Sequence, residues 1–221
     1  PYKQAVIPYL DDLTESARLI GAVNTVLHQD GLLIGHNTDG IGFFKSLETL
    51  RAFHVRNKRL TILGGGGAST AIIAQAAIDG AKEINIFCRP QSVERTVATV
   101  QTIAQSTGVS LQVLPNNDSQ LLAEHINNSD LLINGTSVGM DGTSLPLPAT
   151  IRFPEELLVA DVIYQPFETP LLKMANSQGN PTINGLGMLL FQAAEAFELW
   201  TGKEMPTDLI WQLLVQKYDI K

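Results

Sequence analysis

Short apolar runs alternate with longer amphipathic segments through the middle of the chain. Runs of this kind predict buried strands, and the segments between them predict helices. The predicted strands are residues 60–63, 83–88, 111–114, 130–134, 157–164 and 181–184. The predicted helices between them are residues 68–78, 91–106, 121–126 and 169–176. Because strands and helices alternate, we expect a parallel sheet with right-handed helical crossovers, which is the α/β class.

Side-chain spacing adds detail to one of these helices. Within residues 91–106, Val93, Val97, Val100 and Ile103 recur at helical spacing. This recurrence predicts that all four lie on the buried face of the helix.

The two ends of the chain carry a different pattern. Residues 12–19 predict a helix, and residues 23–28 and 32–36 predict two strands joined by Asp30-Gly31, a pair suited to the positive φ angles of a tight hairpin turn. Three further helices are predicted at residues 39–50, 188–200 and 207–218. We therefore divide the chain into a nucleotide-binding domain, residues 39–184, and a discontinuous second domain made of residues 1–38 and 185–221.

Composition narrows the functional classes. The chain has 221 residues, a net charge of −7 and 44% hydrophobic residues, which is ordinary for a globular protein in water. It has no Lys/Arg-rich block, which argues against nucleic-acid binding, and no apolar run of the ~18–20 residues that cross a bilayer. The single Cys88 excludes an internal disulfide and a multi-cysteine zinc site, so we expect no metal.

The first residues of the chain bear on its cellular compartment and on whether a further segment precedes it. The chain starts at Pro1 without a charged-then-apolar signal sequence, so we expect a cytoplasmic protein. Because the chain does not start with Met, we also expect a further segment upstream of residue 1.

Four consecutive glycines stand where the first predicted strand of the central alternation meets its helix. In Gly64-Gly65-Gly66-Gly67-Ala68-Ser69, Gly64 permits a tight turn and Gly66 lets a pyrophosphate approach the backbone. The free N–H groups at the start of the helix then bind the phosphates. The third glycine of the usual fingerprint is replaced by Ser69, which is small enough for close packing. This context predicts a dinucleotide site.

The end of the next strand indicates which dinucleotide binds. NAD-binding proteins usually have Asp or Glu there to bond the ribose hydroxyls. Here the residues are Cys88-Arg89-Pro90-Gln91, without an acid. The guanidinium of Arg89 suits a 2′-phosphate, so we favour NADP over NAD.

Several strings, in order along nearly the whole chain, together resemble the shikimate dehydrogenase family, which includes quinate/shikimate dehydrogenases. They are Pro1-Tyr2-Lys3, Gly21-Ala22-Val23-Asn24-Thr25, Gly35-His36-Asn37-Thr38-Asp39-Gly40, Gly64 to Ser69, Asn134-Gly135-Thr136-Ser137-Val138-Gly139-Met140, Asp161-Val162-Ile163-Tyr164 and Asn184-Gly185-Leu186-Gly187-Met188-Leu189-Leu190-Phe191-Gln192. The resemblance implies a Rossmann-type domain plus part of an α/β substrate-binding domain. It also implies reversible hydride transfer between NADP(H) and C3 of shikimate or 3-dehydroshikimate, in chorismate and aromatic amino-acid biosynthesis.

The resemblance also assigns residues. Lys3 and Asp39 match the family's catalytic lysine and aspartate. An ammonium can stabilise the alkoxide formed at C3 and donate its proton, and a carboxylate can hold that ammonium. Substrate-binding positions are matched by Asn24, Asn37, Tyr164 and Gln192. Positions near the nicotinamide are matched by Thr136, Met140, Gly185 and Met188.

Two departures from the family pattern leave alternatives open. The family's N-terminal strand, helix and carboxylate-binding serine pair are absent from this chain, so shikimate and quinate are not distinguished and the chain could be an inactive fragment. The usual Asn-Arg-Thr/Ser motif reads Cys88-Arg89-Pro90, which predicts weaker NADP binding or use of both nucleotides. A non-catalytic NADP-binding relative is the remaining alternative. The expected partner is the small-molecule substrate, and the protein is expected to be a monomer or a homodimer.

Overall fold

A three-stranded sheet lies in the N-terminal part of the computed structural model, which describes residues 2–218. Its strands are β1 (Asp12–Leu13), β2 (Thr25–Gln29) and β3 (Leu32–His36), in the order β1-β3-β2. β2 and β3 are antiparallel, and the turn between them has positive φ angles at Asp30 and Gly31, which confirms the predicted hairpin. β1 pairs in parallel with β3.

The first helix begins later than the sequence predicts. Helix α1 (Glu15–Ile20) is capped by Thr14, whose side-chain oxygen accepts a hydrogen bond from the N–H of Ala17. Asp12 and Leu13, which we expected inside the helix, pair with Ile34 and Gly35 of β3 instead. A strand partner distant in sequence therefore decides the conformation of these two residues.

The central part of the chain forms a six-stranded sheet in which every neighbouring pair is parallel. Its strands are β4 (Arg59–Leu63), β5 (Glu83–Cys88), β6 (Ser110–Pro115), β7 (Leu131–Asn134), β8 (Leu158–Asp161) and β9 (Thr182–Ile183). Their order is β6-β5-β4-β7-β8-β9. The strand order reverses between β4 and β7, so a crevice opens at the carboxyl ends of these two strands. This is the predicted Rossmann-type α/β fold.

Helices cover both faces of the large sheet. They are α3 (Gly67–Ile78), α4 (Val93–Thr107), α5 (Ser119–Asn127) and α6 (Pro170–Ser177). On one face, Ile62, Ile84 and Ile133 pack with residues of α3 in one hydrophobic cluster. On the other face, Leu132 and Val159 pack with residues of α5 and α6 in a second cluster. Alternate strand residues thus supply two cores, as expected for strands buried on both sides.

Three further helices complete the described fold. They are α2 (Asp39–Arg51), α7 (Leu186–Thr201) and α8 (Thr207–Tyr218). Glycines allow α2 to approach its neighbours closely: a Cβ at Gly42 would lie 2.4 Å from the backbone N of Gln192 in α7, and one at Gly40 would lie 2.4 Å from the carbonyl oxygen of Ala71 in α3. Helix α2 therefore packs directly between α3 and α7.

Two details of the central pattern are wrong. In α4, Val97 is 43% exposed, whereas the polar Thr96 is buried. The predicted strand 157–164 is shorter, since β8 ends at Asp161.

Pro1 and residues 219–221, which our domain division includes, lie outside the described residues, and that division stays a prediction. Over residues 2–218, no helix is both long enough and apolar enough to cross a membrane.

Candidate active site

Lys3 and Asp39 form an ion pair at the junction of the two sheets. The Nζ of Lys3 lies 2.5 Å from Oδ2 of Asp39. The Lys3 side chain is 51% exposed and that of Asp39 is 14% exposed. The carbonyl of Lys3 accepts a hydrogen bond from the N–H of Val23, which fixes its segment beside β2, and Asp39 is the first residue of α2. An exposed ammonium is thus held by a carboxylate that is largely enclosed.

Two asparagines bond to Asp39, one to its carboxylate and one to its backbone N–H. The Nδ2 of Asn24 donates to Oδ1 of Asp39 at 2.9 Å and to the Thr38 hydroxyl at 3.0 Å. The Oδ1 of Asn37, a residue only 2% exposed, accepts from the N–H of Asp39. Both asparagines were expected at the substrate site, and their bonds bring them to Asp39. Thr38 was not singled out from the sequence, although it stands within the Asn37-Thr38-Asp39 string.

The glycine turn between β4 and α3 has the backbone geometry that a dinucleotide site requires. Gly64 has a φ of +102°, and a Cβ there would lie 2.8 Å from Cγ2 of Thr136. Gly66 is extended, and a Cβ on it or on Gly67 would meet no atom within 4 Å. The space beside Gly66 and Gly67 is therefore open to a ligand. Ser69 is buried, and its hydroxyl donates to the carbonyl of Gly135, which joins α3 to the segment after β7.

A cavity of about 530 Å³ adjoins this turn. Its lining includes Gly64, Gly65, Gly66 and Thr136 on one side and Arg89, Ser92, Arg95 and Asn116 on another. Arg89 was predicted from the sequence; Ser92, Arg95 and Asn116 were not. The cavity combines open glycine backbone with guanidinium, hydroxyl and amide donors, a set that suits phosphate groups.

A buried carboxylate organises the segment after β7. Asp161, 1% exposed, accepts from Nδ2 of Asn134, from the hydroxyl of Thr169 at 2.7 Å and from the N–H of Ile163. Asn134 in turn accepts through Oδ1 from the hydroxyl of Thr136 at 2.7 Å. Burial raises the pKa of Asp161, and the hydrogen bonds from Ile163, Thr169 and Asn134 oppose that rise. This network fixes Thr136, a predicted cofactor residue.

The remaining predicted residues differ in their surroundings. Met140 is 61% exposed and Tyr164 is 45% exposed, so both side chains are open to a ligand. Gln192 lies against Gly42 of α2, and its Nε2 donates to the carbonyl of Leu189. Met188 packs on the larger core, and Gly185 has no room for a side chain because a Cβ would lie 2.0 Å from the carbonyl oxygen of Val162. Ala68 lies in the first turn of α3.

Comparison with known proteins gives consistent matches. Family models match residues 185–215, as the shikimate 5′-dehydrogenase C-terminal domain, and residues 1–26, as the shikimate dehydrogenase substrate binding domain. A shikimate dehydrogenase (NADP(+)) of Streptococcus suis is 82% identical over all of this chain, which spans 76% of that relative's length.

Solved structures agree with the sequence matches. A shikimate 5-dehydrogenase of Listeria monocytogenes, in complex with shikimate and NAD, is 44% identical with a TM-score of 0.91, over 97% of this chain and 75% of that one. A shikimate 5-dehydrogenase of Thermus thermophilus, in complex with NADP(H) and shikimate, is 34% identical with a TM-score of 0.78, over 94% of this chain and 73% of that one.

Proposed function

The chain belongs to the shikimate dehydrogenase family, and we infer that it is an oxidoreductase that transfers hydride reversibly between NADP(H) and the shikimate/3-dehydroshikimate pair. The relative from Streptococcus suis, 82% identical over the whole chain, supports this activity. In the geometry, the observation that carries it is the contact of 2.5 Å between Nζ of Lys3 and Oδ2 of Asp39. Helix α2, which begins at Asp39, packs against α3, the helix that follows the glycine turn.

The cofactor site fits NADP in its chemistry. Open backbone at Gly66 and Gly67 suits the pyrophosphate, and the guanidinium of Arg89 suits the 2′-phosphate. When bound, NADPH supplies the hydride. We propose that Gly64, Gly65, Ala68 and Ser69 complete the phosphate turn, and that Thr136, Met140, Gly185 and Met188 border the nicotinamide.

Lys3 acts on the oxygen of the reacting carbon. In the reductive direction the C3 carbonyl oxygen gains negative charge, which the ammonium of Lys3 stabilises and then neutralises by giving up a proton. Asp39 keeps that ammonium oriented and accepts a hydrogen bond from the adjacent substrate hydroxyl. In the oxidative direction the same nitrogen takes the proton back.

We propose that four polar residues bind the substrate. Tyr164 and Gln192 offer a hydroxyl and an amide to the hydroxyl groups of the acid. Asn24 and Asn37 are also proposed to contact the substrate, and their bonds to Asp39 add a positioning role. We propose a nucleotide-binding domain of residues 39–184 and a second domain of residues 1–38 and 185–221, with the contacts to each ligand drawn from both domains.

The compartment and partners of the enzyme are proposed from the nature of its substrates. Shikimate and NADP are small, water-borne molecules, which supports a cytoplasmic enzyme whose partner is the small-molecule substrate, without nucleic acid or membrane. A monomer or a homodimer is proposed as its assembly.

The test is an assay of the full-length protein with shikimate or quinate, each with NADP or NAD. We expect reduced cofactor, seen by its absorbance, to form fastest with shikimate and NADP. An absence of reduction at high enzyme concentration in all four mixtures contradicts the proposed activity. Faster turnover of quinate would reassign the substrate and leave the reaction type unchanged.

A further inference from the structure

The connection between β7 and β8 contributes two separate stretches to the wall of the cavity beside the glycine turn. The first is residues 136–138, and the second is Leu145-Pro146. Asp141 lies in the turn between them. We propose that Asp141 is a positioning residue for the dinucleotide: its carboxylate fixes the turn that holds Leu145 and Pro146 in place, as an apolar wall, before the cofactor binds. This proposal rests on the proposed function and adds to it a residue that sets cofactor affinity.

The carboxylate of Asp141 ties together the turn that follows it. Its Oδ1 accepts from the N–H groups of Thr143 at 2.9 Å and Ser144 at 2.8 Å, and its Oδ2 accepts from the hydroxyl of Ser144 at 2.5 Å. These bonds, that from the Ser144 hydroxyl above all, lower the pKa of Asp141 to about 2. The carboxylate is therefore an ionised acceptor at neutral pH, and Leu145 follows directly on the turn that it holds.

This turn is closed on itself and lies against the body of the protein. The N–H of Gly142 donates to the carbonyl of Gly139 at 3.0 Å. A Cβ at Gly139 would lie 3.6 Å from the carbonyl oxygen of Ser144 and 3.6 Å from Cδ1 of Ile163. On the other side of the apolar pair, Leu147 is buried in the cluster beneath α5 and α6. Leu145 and Pro146 are thus held between the Asp141 turn and a residue of the core.

The first stretch of the cavity wall is held by a different carboxylate. The Nδ2 of Asn134 donates to the carbonyl of Val138 at 3.0 Å and also to Asp161, and its Oδ1 accepts from the hydroxyl of Thr136. The bonds of Asp141 are made within residues 141–144. Loss of the Asp141 carboxylate should therefore loosen Leu145 and Pro146 and leave Thr136, which we place beside the nicotinamide, where it is.

The chemistry of the second stretch indicates which part of the cofactor it serves. The side chains of Leu145 and Pro146 are apolar and offer no hydrogen bond to a phosphate. They suit the rings of the cofactor, which NADP and NAD have in common. A wall that is already ordered in the free protein does not have to be ordered by the ligand, and the entropy cost avoided in this way appears as affinity. The contribution of Asp141 should therefore be the same for both nucleotides.

The test is to measure NADP and NAD dissociation constants by calorimetry for the full-length protein and its Asp141→Ala variant. We expect both constants to rise by the same factor, roughly threefold to tenfold, because the ligand must then order Leu145 and Pro146 as it binds. The turnover number at saturating NADP and the KM for shikimate should stay unchanged. Asp141→Asn keeps an oxygen that can accept from both N–H groups, so it should restore most of the affinity. Ser144→Ala removes only the hydroxyl bond and should give an intermediate loss.

Asp118→Ala is the matched control. The Oδ1 of Asp118 accepts from the N–H groups of Gln120 at 3.0 Å and Leu121 at 2.9 Å, which is the same pattern at the start of α5, outside the cavity lining. This variant should leave both dissociation constants unchanged.

Three results would overturn the proposal. They are unchanged constants in Asp141→Ala, a loss confined to NADP, and an equal loss of affinity in Asp118→Ala, which would indicate general destabilisation. If Asp141→Ala does not fold, Asp141→Asn and Ser144→Ala carry the test. Failure of the unaltered full-length protein to oxidise shikimate with NADP would instead overturn the proposed function.

Discussion

At the scale of single residues, the proposed chemistry depends on the ammonium of Lys3. Its side chain is half exposed, its nitrogen contacts Oδ2 of Asp39, and it does not line the cavity beside the glycine turn. Lys3→Ala should therefore leave NADP affinity unchanged while the turnover number falls by roughly 10²–10⁴, the usual contribution of a positioned acid or base. Steady-state kinetics and NADP titration measure the two quantities. Lys82→Ala, at an exposed position on another surface, is the control, and a parallel loss of affinity and rate would place Lys3 outside the chemistry.

The loss of stability caused by substituting Asp161 should depend on pH. Asp161→Asn puts an NH₂ group where the carboxylate accepts from Asn134 and Thr169, so we expect a loss of about 1–3 kcal/mol in unfolding free energy. Loosening of the segment that carries Thr136 should also raise the KM for NADP.

The sign of the pH dependence follows from burial, which raises the pKa of Asp161 above its ordinary value of 3.8. The folded protein then binds more protons here than the unfolded chain does, so the contribution of Asp161 is fully present below pH 3.8 and is lost as the pH rises through the raised pKa. The stability difference from Asp161→Asn should accordingly narrow with rising pH. Urea unfolding across a pH series tests this, and a constant difference would contradict it.

At the scale of elements, two glycines of the turn between β4 and α3 are required for different reasons. Gly64 is required by the fold, and Gly66 is required by the ligand. Gly66→Ala adds a methyl group that meets no protein atom within 4 Å, so thermal stability should not fall. NADP affinity should drop on the order of tenfold, because the methyl blocks close approach of the pyrophosphate to a backbone donor.

Gly64→Ala is the contrasting change in the same turn. Its φ of +102° and the 2.8 Å approach to Thr136 mean that the folded protein itself resists the methyl group. We expect a loss of about 1–2 kcal/mol in unfolding free energy. Melting temperatures and NADP titrations of both variants distinguish the loss of stability from the loss of affinity. A Gly66→Ala protein that binds NADP normally would contradict the placement of the pyrophosphate beside Gly66.

Elements were predictable from the sequence where local pattern decides them. Strands β3 and β5 match the prediction, because apolar runs bounded by turn residues fix both ends. The buried face of α4 was not predictable in this way. Thr96 turns inward because Gly65, on a distant element, has no side chain. No residue near Thr96 in the sequence indicates that this space exists.

The residues of the candidate site also fall into two groups, those that a local sequence pattern predicts and those that it does not. The glycine turn, Arg89 and the Lys3–Asp39 pair came from motifs and from the family resemblance, each of which is local in sequence. The roles of Asn134 and Asp161 depend on a hydrogen bond between residues 27 positions apart, on neighbouring strands. Such pairing becomes visible only when the strand order β4-β7-β8 is known.

At the scale of the whole molecule, α2 joins the catalytic pair to both halves of the site. It begins at Asp39, contacts α3 through Gly40 and contacts α7 through Gly42. A methyl group at Gly42 would lie 2.4 Å from the backbone N of Gln192, so α7 has to move away. For Gly42→Ala we expect a loss of about 1–3 kcal/mol in unfolding free energy from overpacking. The KM for shikimate should rise with the displaced Gln192, while the dissociation constant of NADP stays unchanged.

Gly40→Ala provides the matched comparison, because it adds the same methyl group to the same helix two residues earlier. There the methyl would lie 2.4 Å from the carbonyl oxygen of Ala71, so α3 and the glycine turn at its start have to move instead. Its stability loss should be similar, but NADP affinity should fall more than the KM for shikimate rises. Kinetics with each ligand varied in turn measures both. If each variant weakens the binding of shikimate and of NADP in equal proportion, α2 affects both sites alike. That result would exclude the idea that each glycine contact positions one site separately.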